Sequence, residues 1–475
     1  GGGKMRLKKL ISIIVVSVTV CTLVACSSTS KTVSAKDDIK SITSISDVYA
    51  TGEQVSAVAV QYSQNIDPAS ISADDFTVED REIESVYVNN SPEKLKDTSK
   101  TVEGSYIIIE LKKKEESSDM GRGGGNRDNG GKVEGQSSKD STKNENTEIS
   151  STASTLDSVN YSVGDTGNGA GTFDKTPDTS VSITQLGEIK TESGNTISAS
   201  NEAMNNTKSV ENIVDDFIQL TFKDPDNGVV LGYNLYIPKN YDASKSYPLI
   251  TFIHDASVVG SDTKLTLTQG NGATVWASEE EQSKHEAFVL APQYEYQIVN
   301  DNFEASIALD TTAKLINSIS NEYSIDTNRL YLTGQSMGCM SSIYLNTKYP
   351  DMFAASLLVA GQWDTSQLAD MSNDNLWIIV SEGDSKAYPA MNEATSLWKS
   401  TGAVVDSTVL DAKLDADAIN MKAEEVKNQS GNIKYTTLAL GSTLSDSSSG
   451  GSEHLTTWKT VGYTIEPSHD WLFEQ

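Results

Sequence analysis

Short segments with alternating apolar and polar residues recur through the first half of the chain. Alternation with a period of two places every second side chain on the same face, which is typical of strands with one buried side. Turn residues separate the segments, so we predict a β-sandwich over residues 37–214. The clearest alternating segments are residues 54–61, 84–88, 105–111 and 180–185.

Continuous apolar runs replace this alternation after about residue 215. Such runs are typical of strands buried on both faces, and helical stretches separate them. The alternation of strand and helix predicts an α/β domain over residues 215–475, with a mostly parallel sheet and helices on both faces. The predicted strands are 231–237, 248–254, 286–292, 329–333, 355–360, 376–381 and 403–409, and the clearest predicted helices are 304–322 and 337–348.

A long polar segment, residues 112–155, interrupts the predicted sandwich. It is rich in Gly, Ser, Asn, Asp and Lys and nearly free of apolar residues. A segment of this composition cannot bury enough apolar surface to offset the entropy of ordering. We therefore expect a disordered insertion, after which the strand pattern resumes near residue 180.

The first 26 residues contain the three parts of a bacterial lipoprotein signal in the right order. A basic segment (residues 5–10) precedes an apolar segment (residues 11–24), and residues 23–26 read Leu-Val-Ala-Cys, which matches the lipobox. The apolar segment is short for a membrane span, which indicates a processed signal. We expect an exported protein with lipid on Cys26, a polar tether over residues 27–36, and folded domains that face outward from the cell membrane.

The composition narrows the classes of partner. The chain has 475 residues and a formal net charge of −29 at pH 7. So much negative charge argues against nucleic acid as a partner and favours a soluble surface. No pattern indicates a metal, a cofactor or an oligomeric state, and we expect contact with the membrane through the lipid anchor only.

The most informative motif is Gly334-Gln-Ser-Met-Gly338, which follows a short apolar strand and precedes a helix rich in small residues. Strand, Gly-x-Ser-x-Gly and helix together are typical of the nucleophile elbow of α/β-hydrolases. Ser336 would lie at the apex with strained backbone angles. Glycine is needed two positions away on each side because the chain passes too close to itself for a Cβ.

A serine hydroxyl needs a base to become a good nucleophile, and the base needs a carboxylate that orients it. In α/β-hydrolases both partners follow the serine along the chain. Of the four histidines, only His454 and His469 lie after Ser336. We favour His454 because it lies in a polar, glycine-rich loop. His469 stays as the alternative, although its place in the first turn of a terminal helix predicts a solvated side chain.

For the acid we favour Asp384, which follows the apolar strand 376–380 in a turn that contains glycine. A carboxylate just beyond a strand end is well placed to meet the histidine loop. An aspartate in a turn can also simply cap its own backbone. Glu382 in the same turn and Asp364 after the preceding strand remain as rivals.

An oxyanion hole would require two backbone N–H donors. One is the N–H of Met337, which follows the nucleophile, and the other comes from the loop after the third strand. That loop reads His254-Asp-Ala-Ser257, so the second donor is the N–H of Asp255 or Ala256, and we interpret His254 as bracing the loop. The remaining candidates, for the substrate pocket, are Gln335 and Trp363.

From about residue 215 to its end, the chain resembles bacterial α/β-hydrolases of the polyhydroxybutyrate-depolymerase-like, feruloyl-esterase-like and acetylxylan-esterase-like group. The similar stretches are residues 247–255, 287–293, 323–338 and 349–355, followed by His454, Trp458, Tyr463 and residues 471–473. The resemblance favours His454 over His469. It also implies that the N-terminal sandwich is immunoglobulin-like.

Two positions depart from the pattern of that group. The oxyanion loop often reads His-Gly-x-Gly there but is His254-Asp-Ala-Ser257 here, and the acid usually follows His-Gly but follows Ser381-Glu-Gly383 here. The leading hypothesis is a serine esterase that acts on acyl groups of extracellular polysaccharide or on small esters. Two alternatives stay open: a surface-anchored binding protein with a catalytically weak hydrolase fold, and a peptidase with the same triad.

Overall fold

The computed structural model describes residues 30–100, 102–114, 159–164, 176–445 and 453–475. The predicted signal with Cys26 lies outside these residues, as does nearly all of the insertion predicted for residues 112–155.

The N-terminal part of the described chain is almost entirely β-structure, as the alternation predicts. It contains eleven strands and one short α-helix. In chain order they are β1 (Thr32–Ser34), α1 (Ala35–Asp38), β2 (Ile39–Tyr49), β3 (Gly52–Tyr62), β4 (Phe76–Val78), β5 (Ile83–Asn89), β6 (Tyr106–Leu111), β7 (Ser182–Gln185), β8 (Ile189–Lys190), β9 (Thr196–Ser198), β10 (Met204–Asn205) and β11 (Lys208–Glu211).

These strands form an immunoglobulin-like sandwich. A five-stranded sheet of order β11-β2-β3-β6-β5 packs on two three-stranded sheets, β10-β7-β4 and β1-β9-β8. Apolar side chains from all three sheets share one core, which includes Val60, Ile107, Ile183 and Ile197. The predicted sandwich is confirmed, because alternate side chains of each strand point into this core.

The polar tether predicted for residues 27–36 is shorter than expected. Residues 32–34 form β1, which pairs in parallel with β9, and Ala35 in α1 is fully buried in the sandwich core. Polar side chains hide this strand from a hydropathy pattern, because its pairing depends on backbone hydrogen bonds at the edge of a sheet.

The C-terminal domain is built on a nine-stranded sheet of order β12-β13-β15-β14-β16-β17-β18-β20-β19. β12 and β13 are antiparallel to their neighbours, and the remaining strands are parallel. The strands are β12 (Phe217–Lys223), β13 (Val230–Tyr236), β14 (Tyr247–Ile253), β15 (Phe288–Gln293), β16 (Ile325–Gln335), β17 (Ala355–Val359), β18 (Leu376–Ser381), β19 (Val405–Leu410) and β20 (Ile433–Leu438).

Helices cover both faces of this sheet. Alternate residues of the central strands point into two separate cores, so that Leu249 packs with α5, α6 and α7 while Ile250 packs with α8, α9 and α10. The fold is the predicted α/β-hydrolase fold. The helices are α2 (Leu265–Thr268), α3 (Asn271–Thr274), α4 (Glu279–Lys284), α5 (Ala308–Glu322), α6 (Met337–Lys348), α7 (Ala387–Ser400), α8 (Ala416–Lys427), α9 (Glu453–Thr460) and α10 (Glu466–Phe473).

The sequence pattern misses β12 and β20. The exposed face of β12 includes Ile218 and Leu220, which makes its alternation ambiguous. β20 carries Lys434, which is fully buried and forms an ion pair with Asp406 at 2.7 Å. A charged residue in a strand with a neighbour on each side conceals the apolar run that normally identifies such a strand.

The two domains touch near the carboxyl edge of the large sheet. A Cβ on Gly270 would lie 3.0 Å from the carbonyl oxygen of Ala50, in the turn between β2 and β3. Lys264 also forms an ion pair with Glu211 at 2.5 Å. Among the helices that the structure describes, none is long and apolar enough to cross a bilayer.

Candidate active site

Ser336 lies at the sharp turn between β16 and α6. Its backbone angles are φ 52° and ψ −116°, which residues other than glycine rarely adopt. A Cβ on Gly338 would lie 1.8 Å from the carbonyl oxygen of Ile253, and a Cβ on Gly334 would lie 2.5 Å from the carbonyl carbon of Gly338. The strained turn predicted from the sequence is therefore present, with glycine where the chain passes closest to itself.

A chain of hydrogen bonds connects Ser336 to a histidine and a carboxylate. Ser336 Oγ lies 2.8 Å from His454 Nε2, and His454 Nδ1 lies 2.5 Å from Asp384 Oδ2. The three residues follow β16, β20 and β18, whose carboxyl ends share one edge of the parallel sheet. With Nδ1–H donated to Asp384, Nε2 is free of a proton and can accept one from the serine hydroxyl.

Asp384 is buried and accepts further hydrogen bonds besides that of His454. Its Oδ1 accepts from the backbone N–H groups of Lys386 at 3.0 Å and Ala387 at 2.9 Å. Burial would raise the pKa of this carboxyl, but the hydrogen bond and charge of His454, together with the two N–H groups, hold the pKa below its usual value. Asp384 is thus kept ionised, as a group that stabilises an imidazolium must be.

The rival acids are engaged elsewhere. Glu382 accepts hydrogen bonds from Thr437 Oγ1 at 3.1 Å and from the N–H of Leu440 at 3.3 Å. Asp364 caps a short 3₁₀ turn and accepts from the N–H of Ser366 at 3.0 Å. The structure therefore brings Asp384, and neither rival, to His454.

The interpretation of His469 as a solvated residue is wrong. Its side chain is buried in the first turn of α10, where Nδ1 lies 3.1 Å from Glu281 Oε2. Its ring centroid lies 4.3 Å from that of Trp276. Partners far away along the chain cover this helix end, so His469 is a buried packing residue and its bonded nitrogen faces Glu281 instead of Ser336.

His254 braces the loop that follows β14. It is fully buried, its Nδ1–H donates to the carbonyl of Asp255 at 2.7 Å, and its Nε2 accepts from the N–H of Tyr294 at 3.0 Å. Burial lowers the pKa of His254, which favours the neutral ring that these two bonds require. The loop lies directly against the elbow, since a Cβ on Gly338 would approach the carbonyl oxygen of His254 to 3.0 Å.

The candidate oxyanion donors lie on either side of the contact between Gly338 and His254. Met337 is the first residue of α6, where the helix provides no acceptor for the backbone N–H. Asp255 precedes the 3₁₀ turn that begins at Ala256, and its carboxylate accepts from the N–H of Ser257 at 2.8 Å. The N–H groups of Asp255 and Ala256 therefore lie in the stretch that leads from the end of β14 into this turn.

Gln335 connects the oxyanion loop, residues 254–257, to the elbow by a hydrogen bond. Its side chain is only 2% exposed, and its Nε2 donates to Asp255 Oδ2 at 2.8 Å. The other pocket candidate, Trp363, is also buried; its ring packs on Phe303 and Tyr344 with centroid distances of 5.6 and 5.8 Å. Gln335 is thus placed to position the loop, whereas Trp363 lies under a partly exposed aromatic surface.

Sequence reasoning missed Glu453, the residue before His454. Its carboxylate is 3% exposed and accepts from Ser381 Oγ at 2.6 Å, Thr443 Oγ1 at 3.0 Å and the N–H of Gly441 at 2.8 Å. A Cβ on Gly383 would lie 1.9 Å from Glu453 Oε1, which gives that glycine a steric role. The sequence does place a carboxylate next to the candidate base. Its role could not be predicted because the groups that it binds are distant along the chain.

Cys339, a second potential nucleophile near the elbow, is fully buried in α6, and burial raises the pKa of its thiol. A thiol that resists ionisation is a poor nucleophile. Within the described residues, no group of three or more His, Cys, Asp or Glu side chains is arranged to bind a metal ion.

Two family models match the chain. Residues 41–198 match the model described as "Esterase Ig-like N-terminal domain", and residues 230–437 match the model described as "Putative esterase". No curated protein matches the chain.

A solved esterase shares the fold. The crystal structure of a thermostable esterase aligns with a TM-score of 0.67 and 26% identity, and the alignment covers 92% of this chain and 99% of that one. The feruloyl esterase module from Clostridium thermocellum, complexed with sinapinate, aligns over 53% of this chain and 87% of its own, with 12% identity and a TM-score of 0.36. The protein is therefore an esterase, in which a segment that matches an esterase immunoglobulin-like domain precedes an α/β-hydrolase domain that matches the esterase model.

Proposed function

We propose that the protein is a serine carboxylic-ester hydrolase with Ser336 as nucleophile, His454 as general base and Asp384 as the acid that orients it. The observation that carries the proposal is the continuous chain from Ser336 Oγ to His454 Nε2 at 2.8 Å and from His454 Nδ1 to Asp384 at 2.5 Å. Nucleophile, base and orienting acid are thus already within hydrogen-bond reach.

In the first half of the reaction, Ser336 Oγ attacks the ester carbonyl carbon while its proton moves to His454 Nε2. Negative charge develops on the carbonyl oxygen, where the N–H of Met337 and that of Asp255 or Ala256 can stabilise it. The intermediate then collapses to an acyl-serine. The alcohol leaves with the proton that His454 returns.

In the second half, water attacks the acyl-serine. His454 takes a proton from the water and returns it to Ser336 Oγ, which releases the carboxylic acid and restores the enzyme. The buried, ionised carboxylate of Asp384 stabilises the imidazolium in both halves. No step calls for a metal or a cofactor.

We assign the substrates to small esters or to acyl groups on extracellular polysaccharide. The support is the resemblance of the sequence to esterases of that kind and the expected export of the chain. A binding protein with an impaired active site is less well supported, because the unusual loop at 254–257 is anchored on both sides, by His254 to Tyr294 and by Asp255 to Gln335.

The decisive experiment compares Ser336→Ala with Ser341→Ala. Ser341 lies in the same helix, and its hydroxyl contacts the backbone carbonyl of Met337 at 2.7 Å. With p-nitrophenyl acetate, Ser336→Ala should lower kcat by on the order of 10⁶-fold, whereas Ser341→Ala should keep its activity. Comparable activity of Ser336→Ala and the wild type would refute the proposal. A panel of short acyl esters, feruloyl esters and acetylated xylan would then define the substrate.

We also propose that the protein is exported and held on the outer side of the cell membrane by lipid on Cys26. The support comes from the sequence alone: the basic, apolar and Leu-Val-Ala-Cys segments occur in order within the first 26 residues. Several acyl chains on one residue make such anchoring stable, whereas a single chain holds only weakly.

A further inference from the structure

Residues 159–164, which belong to the connection between β6 and β7 of the sandwich, lie on the catalytic domain. We call them the docking segment. Tyr161 is 5% exposed and belongs to the apolar core of the catalytic domain, where its ring meets Tyr296 edge to face at a centroid distance of 5.3 Å. The first domain thus supplies a core residue to the second.

The partner of the docking segment is the loop after β15, residues 294–306, which we call the β15 loop. Four hydrogen bonds join them. The N–H of Glu295 donates to Tyr161 Oη at 3.0 Å, and Ser306 Oγ donates to the carbonyl of Tyr161 at 2.6 Å. The N–H of Val163 donates to the carbonyl of Gln297 at 3.1 Å, and Asn300 Nδ2 donates to the carbonyl of Val163 at 3.0 Å.

Asn300 organises the tip of the β15 loop. It is 2% exposed, and its Oδ1 accepts from the N–H groups of Asn302 at 3.0 Å and Glu304 at 3.2 Å. Between these two residues lies Phe303, whose φ is 61°. A bulky residue in the left-handed region is strained and persists only where its surroundings impose the conformation. Here Asn300 imposes it, and Asn300 is itself bound to Val163.

The strained turn lies beside the candidate active site. The partly buried ring of Phe303 packs on Trp363 at a centroid distance of 5.6 Å. Next to it, Asp301 accepts from Gln362 Nε2 at 3.2 Å and from Lys386 Nζ at 2.7 Å, and the N–H of Lys386 in turn binds Asp384. The tip of the β15 loop therefore lies near the ends of β17 and β18, which are followed by Trp363 and Asp384 respectively.

We propose that the docking segment is a specificity element of the ester site, which holds Phe303 against Trp363 through Asn300 and so sets the width of the pocket for the acyl group. The inference rests on the proposed function and deepens it. A large, flat acyl group reaches the Phe303–Trp363 surface, whereas an acetyl group is too small to reach it. Tyr161 and Asn300 are positioning residues that act through Phe303.

The test compares kcat/KM for p-nitrophenyl benzoate and p-nitrophenyl acetate, which share one leaving group. Tyr161→Ala removes the docking contact, and Phe303→Asn removes the ring while keeping a residue that tolerates positive φ. The matched control is Tyr87→Ala in the sandwich, because Tyr87 Oη also accepts from a backbone N–H, that of Leu95, at 3.0 Å. Thermal melts identify variants that fold.

Tyr161→Ala and Phe303→Asn should each lower the benzoate-to-acetate ratio of kcat/KM by about tenfold, since a small displacement of a positioning group weakens transition-state contacts. Tyr87→Ala should leave the ratio unchanged. The double variant should match Phe303→Asn alone, because both changes act through one ring. Where Tyr161→Ala does not fold, Tyr161→Phe should shift the ratio in the same direction by a smaller factor.

Additive effects in the double variant, or an unchanged ratio in a folded Tyr161 variant, would overturn the inference. Those results would leave the proposed function intact, because it depends on the Ser336→Ala measurement with the acetate ester. Loss of the proposed function would instead appear as undiminished acetate hydrolysis by Ser336→Ala.

Discussion

Ser381 Oγ donates a hydrogen bond of 2.6 Å to the buried carboxylate of Glu453, which joins the strand end before Asp384 to the residue before His454. The acid and the base of the proposed triad are thus connected twice, once directly and once through their chain neighbours. The same carboxylate leaves space only for glycine at position 383. Glu453 therefore restrains the start of α9, which carries the imidazole.

We predict that Glu453→Ala lowers kcat ten- to about a hundredfold with little change in KM, because a base displaced by a fraction of an ångström transfers protons poorly. Glu453→Gln should recover most of the loss, since its amide can meet the same groups once the hydroxyls of Ser381 and Thr443 turn to accept. Steady-state kinetics with p-nitrophenyl acetate measure both variants.

The control for this prediction is Glu382→Ala. Glu382 lies in the same turn and binds Thr437 and the N–H of Leu440, but it does not adjoin His454. Its removal should leave kcat nearly unchanged. Equal losses in the two alanine variants would mean that any damage to this turn lowers activity, and the specific role of Glu453 would be withdrawn.

His454→Ala should lower activity, whereas His469→Ala should lower stability. Loss of the base should lower kcat by on the order of 10⁶-fold without unfolding the protein. Loss of His469 should lower the free energy of unfolding by about 1–3 kcal/mol while kcat stays close to that of the wild type, because Glu281 loses a buried partner. Paired activity and chemical-denaturation measurements separate the two, and a reversed pattern would make His469 the base.

A pH-dependent change in stability is expected from Asp374, far from the proposed chemistry. Burial, with the nearby charges of Asp351 and Asp370, raises the pKa of this carboxyl to about 7. The folded protein therefore holds a proton that the unfolded chain releases near its ordinary pKa of about 3.9, so stability falls as the pH rises from about 4 to 7.

Asp374→Asn should remove this dependence. Its Tm should exceed that of the wild type at pH 8, and the advantage should vanish as the pH falls below about 4, where both side chains are uncharged. Melting curves across this range provide the measurement. A constant difference in Tm between the two proteins at every pH would show that Asp374 does not titrate in this window.

Lipid anchoring is tested by Cys26→Ala, which should move the protein from the membrane fraction to the soluble or unprocessed fraction while kcat stays unchanged. Cys21→Ala is the matched control, since Cys21 lies in the same signal but outside the lipobox. It should keep the wild-type distribution after cell fractionation. Membrane retention of a correctly processed Cys26→Ala protein would refute the anchor.

The sequence predicts best what depends on near neighbours. The elbow at Ser336 requires glycines two positions away, and the turn that carries Asp384 follows an apolar strand, so both can be recognised locally. The parallel sheet follows from the repeating order of strand and helix. His454 could be preferred because only two histidines follow the serine.

Features that depend on distant partners could not be predicted. His469 is buried because Trp276 and Glu281 cover it, and nothing near it in sequence indicates that contact. Tyr161 lies in a polar stretch without any helical or strand pattern, yet its ring enters the core of the other domain. The buried Lys434 conceals β20 for the same reason, since Asp406, which neutralises it, lies on another strand.

The pairing of β1 with β9 has a consequence for the reach of the enzyme. The first described strand begins at Thr32, so the five residues 27–31 separate Cys26 from the sandwich. Fully extended, they span about 20 Å. Under the proposed anchoring, the sandwich would remain within about 20 Å of the lipid surface. Polymeric substrates would therefore have to diffuse to the cell.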